Sequence, residues 1–368
     1  MRVVVIGAGI LGASAAYHLA MAGAEVEVID AAHEGKATLA GAGIVCPWAS
    51  ARDEAGWYRL SAAAARYYPD LAAALVEAGE SETGYRRVGA LVTSEDASDL
   101  AAAEKRILAR SAEAPEAGDV RRLTSGEARA LFPPLREGLP AVHIGGGARV
   151  EARAFSAAML RVAVARGAVH RRERATLRLE KGRAVCIGAD GRPIAADIVV
   201  AAAGAWAPEI LEPIGIDLPI APQKGQILHL GLPGIETGHW PVLLPMNSYY
   251  MLTFDDSRVV VGATRETGSG FDYRVTAAGQ AEVLAFGLSF APGLRNATLI
   301  ETRVGFRPAG PSFVPMLGPV PGVAGLLIGN GLGAGGLTMG PMAGRLLAEH
   351  ALGAPTALDL AAFAPVPA

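Results

Sequence analysis

Cysteine is nearly absent: Cys46 and Cys186 are the two in 368 residues, too few for a disulfide framework and without metal-ligand spacing. The seven histidines are scattered and lack the pairing that a zinc site on a helix needs. No basic block exceeds Arg171-Arg172-Glu173-Arg174, which reads as a solvated face, and the net charge is −3; nucleic acid is not an expected partner. No long uninterrupted apolar run is present near the start, where Arg2, glycines and His18 break the pattern. Neither a signal peptide nor a membrane span is read there. These absences fit a reducing, cytoplasmic compartment, with peripheral membrane contact left open. Charged residues are only 19% against 51% hydrophobic, which excludes a disordered chain. The length exceeds what one core holds, so two domains are expected.

Glycine, by contrast, is plentiful, and it clusters at two places. The β-branched run Arg2–Ile6 predicts a buried parallel strand. Gly7-Ala8-Gly9-Ile10-Leu11-Gly12 follows at once, then an alanine-rich helix to about Ala22 with Gly23 as its C-cap. Glu25–Ile29 is a second strand, ending at Asp30 and Ala31. This is the βαβ unit of a dinucleotide fold. Gly7 permits the tight turn, Gly9 lets backbone approach a pyrophosphate, and Gly12 lets helix and strand pack closely. The helix N-terminus offers amides to the phosphates, and the Asp30 carboxylate stands where ribose hydroxyls would donate to it.

Further along, helices are predicted over 57–79, 101–110 and 125–131, with a strand over 88–93. After the break at Pro133-Pro134 come a strand end and long helix over 148–167, then a buried strand over 198–202. Segments 225–230, 249–254 and 259–263, with a hairpin at Asp255-Asp256-Ser257, predict an antiparallel sheet. The chain closes with a strand over 325–329, a glycine-rich loop, a helix over 341–352 and a frayed tail after Gly353. The fold expected is α/β, a Rossmann-type domain (1–85, 145–222 and 306–368) with an antiparallel-sheet substrate domain (86–144 and 223–305).

The loop Gly331-Leu332-Gly333-Ala334-Gly335-Gly336-Leu337-Thr338 precedes the last helix, so its amides can face a flavin carbonyl edge. A flavin carries its own hydride acceptor and needs only a positioned substrate, whereas no histidine here has the context of a nicotinamide enzyme. Flavin is therefore the expected cofactor. An NAD-dependent dehydrogenase and a flavin-binding protein without turnover remain the alternatives.

These motifs resemble the FAD-dependent D-amino-acid oxidase superfamily, nearest to glycine oxidase and the bacterial D-amino-acid dehydrogenases. The resemblance runs through Gly7–Gly12 with Asp30, the loop Thr38-Leu39-Ala40-Gly41-Ala42-Gly43, the stretch 199–206, Lys224-Gly225-Gln226 and Val261-Gly262-Ala263-Thr264. It continues in Gly305-Phe306-Arg307-Pro308 and the loop 331–338. It implies non-covalent FAD, held by Thr38, Ala40–Gly43 (Gly41 and Ala42 included), Ala175, Ala203, Gly204, Trp206 and the last loop. It also implies that Arg307 grips a substrate carboxylate bidentately and that Tyr250 assists, unless Tyr249 takes that role. The substrate implied is a small amino acid, a D-amino acid or a cyclic or secondary amine of D-proline type, with glycine or sarcosine as the alternative. Hydride transfer to flavin would give the imino acid, and oxygen or a quinone would take the electrons. Departures are Arg303, Ser312-Phe313 and Leu332 at positions where relatives carry other residues. Ala334 replaces a second substrate arginine of glycine oxidase and leaves a small apolar wall. Neither cysteine matches a covalent flavin attachment site; Cys46 is read as a buried thiol or one that approaches the flavin.

Overall fold

The computed structural model describes residues 1–247 and 249–365. Among them, six strands form the first sheet, in the order Met316–Pro319, Leu326–Asn330, Ile198–Ala201, Arg2–Ile6, Glu25–Ile29, Val169–Arg171. All neighbours are parallel except the edge strand Met316–Pro319. The central strands read as unbroken Val/Ile/Leu runs because both faces are covered. The helix Ile10–Met21 covers one face, and the last helix, Gly336–Ala351, packs on it.

Nine described strands form the second sheet. Its spine is the long antiparallel pair Ala221–Gly231 and Thr298–Ala309, in which Gln223 faces Arg307 and Gly225 faces Gly305. Arg258–Gly262 and Tyr250–Phe254 follow as the predicted hairpin. Beyond them, Val242–Pro245 pairs in parallel with Ala90–Thr93. The sheet is thus mixed where the sequence predicted antiparallel pairing throughout, because these two strands are joined by a crossover through the first sheet rather than by a hairpin.

Several element bounds also differ. The helix Ala97–Ser111 begins before 101 because the Asp96 side chain caps it, accepting from the Ser98 and Asp99 amides. The last helix begins at Gly336, with Pro341 inside it. Proline has no N–H to give the Leu337 carbonyl; the Tyr68 hydroxyl donates to that carbonyl instead. The tail is not frayed through 365: Leu360 and Phe363 are buried against the first-sheet core, and Asp359 caps their turn. The predicted fray at 366–368 lies outside the described residues. The helix Ala277–Phe290, the strand Thr298–Ala309 and the small sheet formed by 176–180, 183–187 and 193–194 have no counterpart in the sequence reading.

Candidate active site

One continuous cavity runs between the two sheets, and both contribute to its wall. On the first-sheet side, Gly7 has φ +105°, and a Cβ there would lie 2.4 Å from the Ala202 carbonyl oxygen, so only glycine fits the turn. Gly9, Ile10 and Leu11 border the cavity. Gly12 does not; it lies against the Gly7 carbonyl, where a Cβ would stand at 1.9 Å, which is the packing role its position predicts. The Ile10 amide donates to Thr38 Oγ1 at 2.9 Å, and the remaining first-turn amides of the helix leave a partial positive charge suited to phosphate.

Asp30 and Ala31 end the second strand at this wall. The Asp30 carboxylate accepts from the amides of Ala8 (2.6 Å) and Ala32 (2.7 Å) and from Lys36 Nζ (2.9 Å). Burial would raise its pKa, but Lys36 and the two amides outweigh that and hold it below the usual carboxylate range. Lys36 also borders the cavity and was missed by sequence reasoning, because only the fold back of residues 32–36 brings it to Asp30.

Thr38, Ala40, Gly41, Ala42 and Gly43 line the next part of the wall, with Ala175, Ala203, Gly204 and Trp206 beyond. Trp206 stacks between His33 (4.5 Å) and Phe271 (4.8 Å), joining the two sheets through three aromatic rings. From the last loop, Leu332, Gly333, Ala334, Gly336 and Leu337 reach the cavity. Gly331, Gly335 and Thr338 do not: the first lies against Met316 and the second against Met339, while the Thr338 hydroxyl donates to the Ile44 carbonyl at 2.8 Å. Asn330, also missed from sequence, is buried; its Nδ2 donates to the Gly204 carbonyl at 2.9 Å, tying two wall segments together. The positive end of the last helix faces the same space.

Arg307 and Tyr250 stand on the second-sheet wall. The guanidinium lies flat against Gly225 and donates to the Thr264 carbonyl at 3.1 Å and more weakly to that of Lys224 at 3.4 Å. Tyr250 stands close enough to interact with it electrostatically. Burial raises the Tyr250 pKa and lowers that of Arg307. Tyr249 points to the other face of the sheet, stacked on Phe286 at 4.3 Å with its hydroxyl on Glu282 at 2.6 Å. Of the two tyrosines, Tyr250 borders the cavity and Tyr249 does not. Arg265, missed from sequence, borders it too and also lines a shallow outer recess with Arg52, Asp53, Glu54, Asn247 and Phe313. Its nearness to the Val261–Thr264 motif was the available signal.

Cys46 and Cys186 are buried outside the wall, and burial pushes both thiols up to about 12. The first-sheet wall suits a dinucleotide in three respects: a turn where a Cβ would clash, a helix terminus for pyrophosphate, and a fixed carboxylate for ribose.

Comparison with known proteins agrees with this geometry. Residues 2–350 match the model of the family described as DAO, FAD dependent oxidoreductase. The chain is 63% identical to an iminodiacetate oxidase of Chelativorans sp. BNC1, with 99% of each chain covered and a TM-score of 0.98. It is 50% identical to the uncharacterized oxidoreductase YurR of Bacillus subtilis, over 98% of both chains. It is also 31% identical to a glycine oxidase of Pseudomonas aeruginosa, covering 99% of this chain and 98% of that one. With the family model matched over nearly its whole length, the chain belongs to the DAO family of FAD-dependent oxidoreductases.

Proposed function

We propose that this chain oxidises a carbon–nitrogen bond in a small N-carboxymethyl amine, with iminodiacetate as the preferred substrate and oxygen as the acceptor. The observation that carries the reading is the Arg307–Tyr250 pair on the wall opposite the dinucleotide-type turn, in one cavity. Identity of 63% to an iminodiacetate oxidase supports the choice of amine.

Gly7–Leu11, Asp30, the 38–43 loop, Ala175, Ala203–Trp206 and the 332–337 loop would hold FAD. When bound, FAD accepts the hydride from the substrate's α-carbon. The Arg307 fork takes both oxygens of one carboxylate, and the Tyr250 hydroxyl adds a single oriented donor. The Thr264 and Lys224 carbonyls fix the fork, so the carboxylate defines where the α-carbon sits. Among the described residues, no carboxylate or imidazole from the second sheet borders the cavity. Positive charge from Arg307 and Arg265 favours the neutral amine over the ammonium, and the nitrogen's lone pair can then expel the hydride. The N–H proton leaves to water; water adds to the imine, and iminodiacetate yields glyoxylate and glycine.

A compact D-amino acid or a D-proline-like ring is the second reading, favoured by the small Gly333 and Ala334 on the wall. The test is anaerobic mixing of holoprotein with iminodiacetate, sarcosine, glycine, D-alanine and D-proline, following loss of flavin absorbance. Iminodiacetate should bleach it fastest. Fastest bleaching by D-alanine or D-proline would establish the second reading, and by glycine or sarcosine would reject iminodiacetate as the preferred substrate along with the second reading.

A further inference from the structure

The triplet Lys224-Gly225-Gln226 lies in the strand Ala221–Gly231, where successive side chains alternate between faces. Gly225 and Ile227 border the cavity; Lys224 and Gln226 do not, and both are buried behind it. The Gln226 carboxamide joins two distant points of the chain. Its Nε2 donates to Glu266 Oε1 at 2.7 Å and to Thr276 Oγ1 at 2.9 Å, and its Oε1 accepts from the Thr276 amide at 3.0 Å. Segment 266–276 thus has both feet on one side chain. Lys224 holds the same segment further out: its Nζ is 3.5 Å from Glu266 Oε2 and 3.9 Å from Asp272 Oδ2. A buried ammonium is costly without counter-charge, and both of these carboxylates come from the segment.

Between Glu266 and Asp272 the segment carries Phe271 over to Trp206, which follows the first-sheet strand Ile198–Ala201. The two rings stack at 4.8 Å, nearly parallel at 13°, and His33 stacks on Trp206 at 4.5 Å and 4°. Phe271 also meets Phe306 edge-on at 5.2 Å. His33, Trp206 and Phe306 border the cavity and Phe271 does not, so Phe271 backs this wall from outside. Gly268 and Gly270, at φ +82° and +56°, are exposed, with open space where a Cβ would stand. The chain between the foot and the ring can therefore swing without disturbing any packing.

We propose that segment 266–276 is a clasp between the two cavity walls that retains FAD, with Lys224 as its latch. Closed, it fixes Trp206 between Phe271 and His33 and ties the first-sheet wall to the second. Open, the Lys224 ammonium and its two carboxylates regain water, so opening exchanges one set of stabilising contacts for another and the clasp is reversible. Lys224 is a positioning residue, acting on the cofactor through Phe271 and Trp206. The triplet then serves both walls: its middle residue seats Arg307, and its outer two hold the clasp. This inference concerns cofactor retention and stands whichever amine is oxidised.

Holoprotein is diluted far below its FAD dissociation constant, and the rise of free-flavin fluorescence gives the release rate. Phe271→Ala should release FAD about tenfold faster than the wild type. Lys224→Met should accelerate release by at least about threefold. Should Lys224→Met fail to fold, Asp272→Asn tests the same pair from its more exposed side. Combined with Phe271→Ala, whichever of these folds should release FAD no faster than about twice the faster single variant, because both changes open one clasp. Apoprotein thermal midpoints, unmoved by Phe271→Ala, separate loss of retention from loss of folding. A release rate for Phe271→Ala less than about threefold above the wild type overturns the clasp. A double variant whose acceleration is the product of the two singles overturns the part assigned to Lys224.

Discussion

Gly225→Ala tests whether the position of the Arg307 fork, rather than its charge alone, sets the rate. Gly225 lies in a regular strand and does not occupy the left-handed region, so alanine fits the backbone. The new Cβ would stand 2.5 Å from one terminal nitrogen of Arg307, 2.6 Å from the other and 2.7 Å from the carbon between them. Ordinary contact is about 3.5 Å, so the fork must retreat by about 1 Å. The moving atoms are the end of a flexible side chain, and alanine in a strand recovers about 0.5–1 kcal/mol relative to glycine. Stability should therefore change by less than about 1 kcal/mol. Reactivity should not be spared, because a carboxylate displaced by about 1 Å carries the α-carbon with it. Such an error costs about a hundredfold, or roughly 2.7 kcal/mol. The assay is kcat/KM for the best of iminodiacetate, sarcosine and glycine, alongside flavin content and thermal midpoint. A fall in kcat/KM of less than about threefold, with flavin content intact, would refute the argument that Gly225 seats the fork.

Arg307→Lys keeps the charge and loses the planar fork; kcat/KM should drop by roughly two to four powers of ten at unchanged flavin content. Tyr250→Phe removes one donor and should cost about tenfold in kcat/KM, whereas Tyr249→Phe, on the other face, should leave steady-state kinetics within about twofold. Acid precipitation should release all FAD into the supernatant, because neither buried thiol borders the cavity; flavin retained in the pellet contradicts this. His229 is buried, and burial followed by the Arg303 and Arg258 guanidiniums pushes its imidazole down from 6.5 to about 3. The unfolded chain then takes up that proton first, so the contribution is present above pH 6.5 and is lost as pH falls toward 3. Denaturant titrations should find about 2–3 kcal/mol less stability at pH 4.5 than at pH 6.5 from this group. His229→Gln should shrink the pH difference by about that amount, and an unaltered slope would count against it.

The first strand–helix–strand unit was legible because a dinucleotide turn needs glycines at fixed spacing and an acid at the next strand's end. Arg307 was singled out by the family resemblance and not by local spacing; a planar fork suits a carboxylate. What stayed hidden has physical reasons. The helix Ala277–Phe290 carries Gly279 and Gly287 where it presses on the sheet; a Cβ at Gly279 would stand 2.2 Å from the Gln226 side chain. Close approach thus removed the pattern that announces a helix. The strand Thr298–Ala309 alternates poorly because its first half is exposed and its second half lines the cavity. The tail looked like low-complexity sequence, yet Leu360 and Phe363 suffice to anchor it. Lys36 and Arg265 depend on which loops meet, and local sequence does not carry that.

The placement of the two arginines has an evolutionary consequence. Arg307 sits inside the paired Ala221–Gly231 and Thr298–Ala309 ladder, braced by two carbonyls and seated on Gly225, so any other side chain there disturbs several partners at once. Arg265 comes after the regular part of the Arg258–Gly262 strand and is exposed. Descendants of such a scaffold are expected to vary at exposed positions such as 265 before they vary at the seated Arg307. Diversification in this lineage should therefore be sought along the rim of the cavity before its floor.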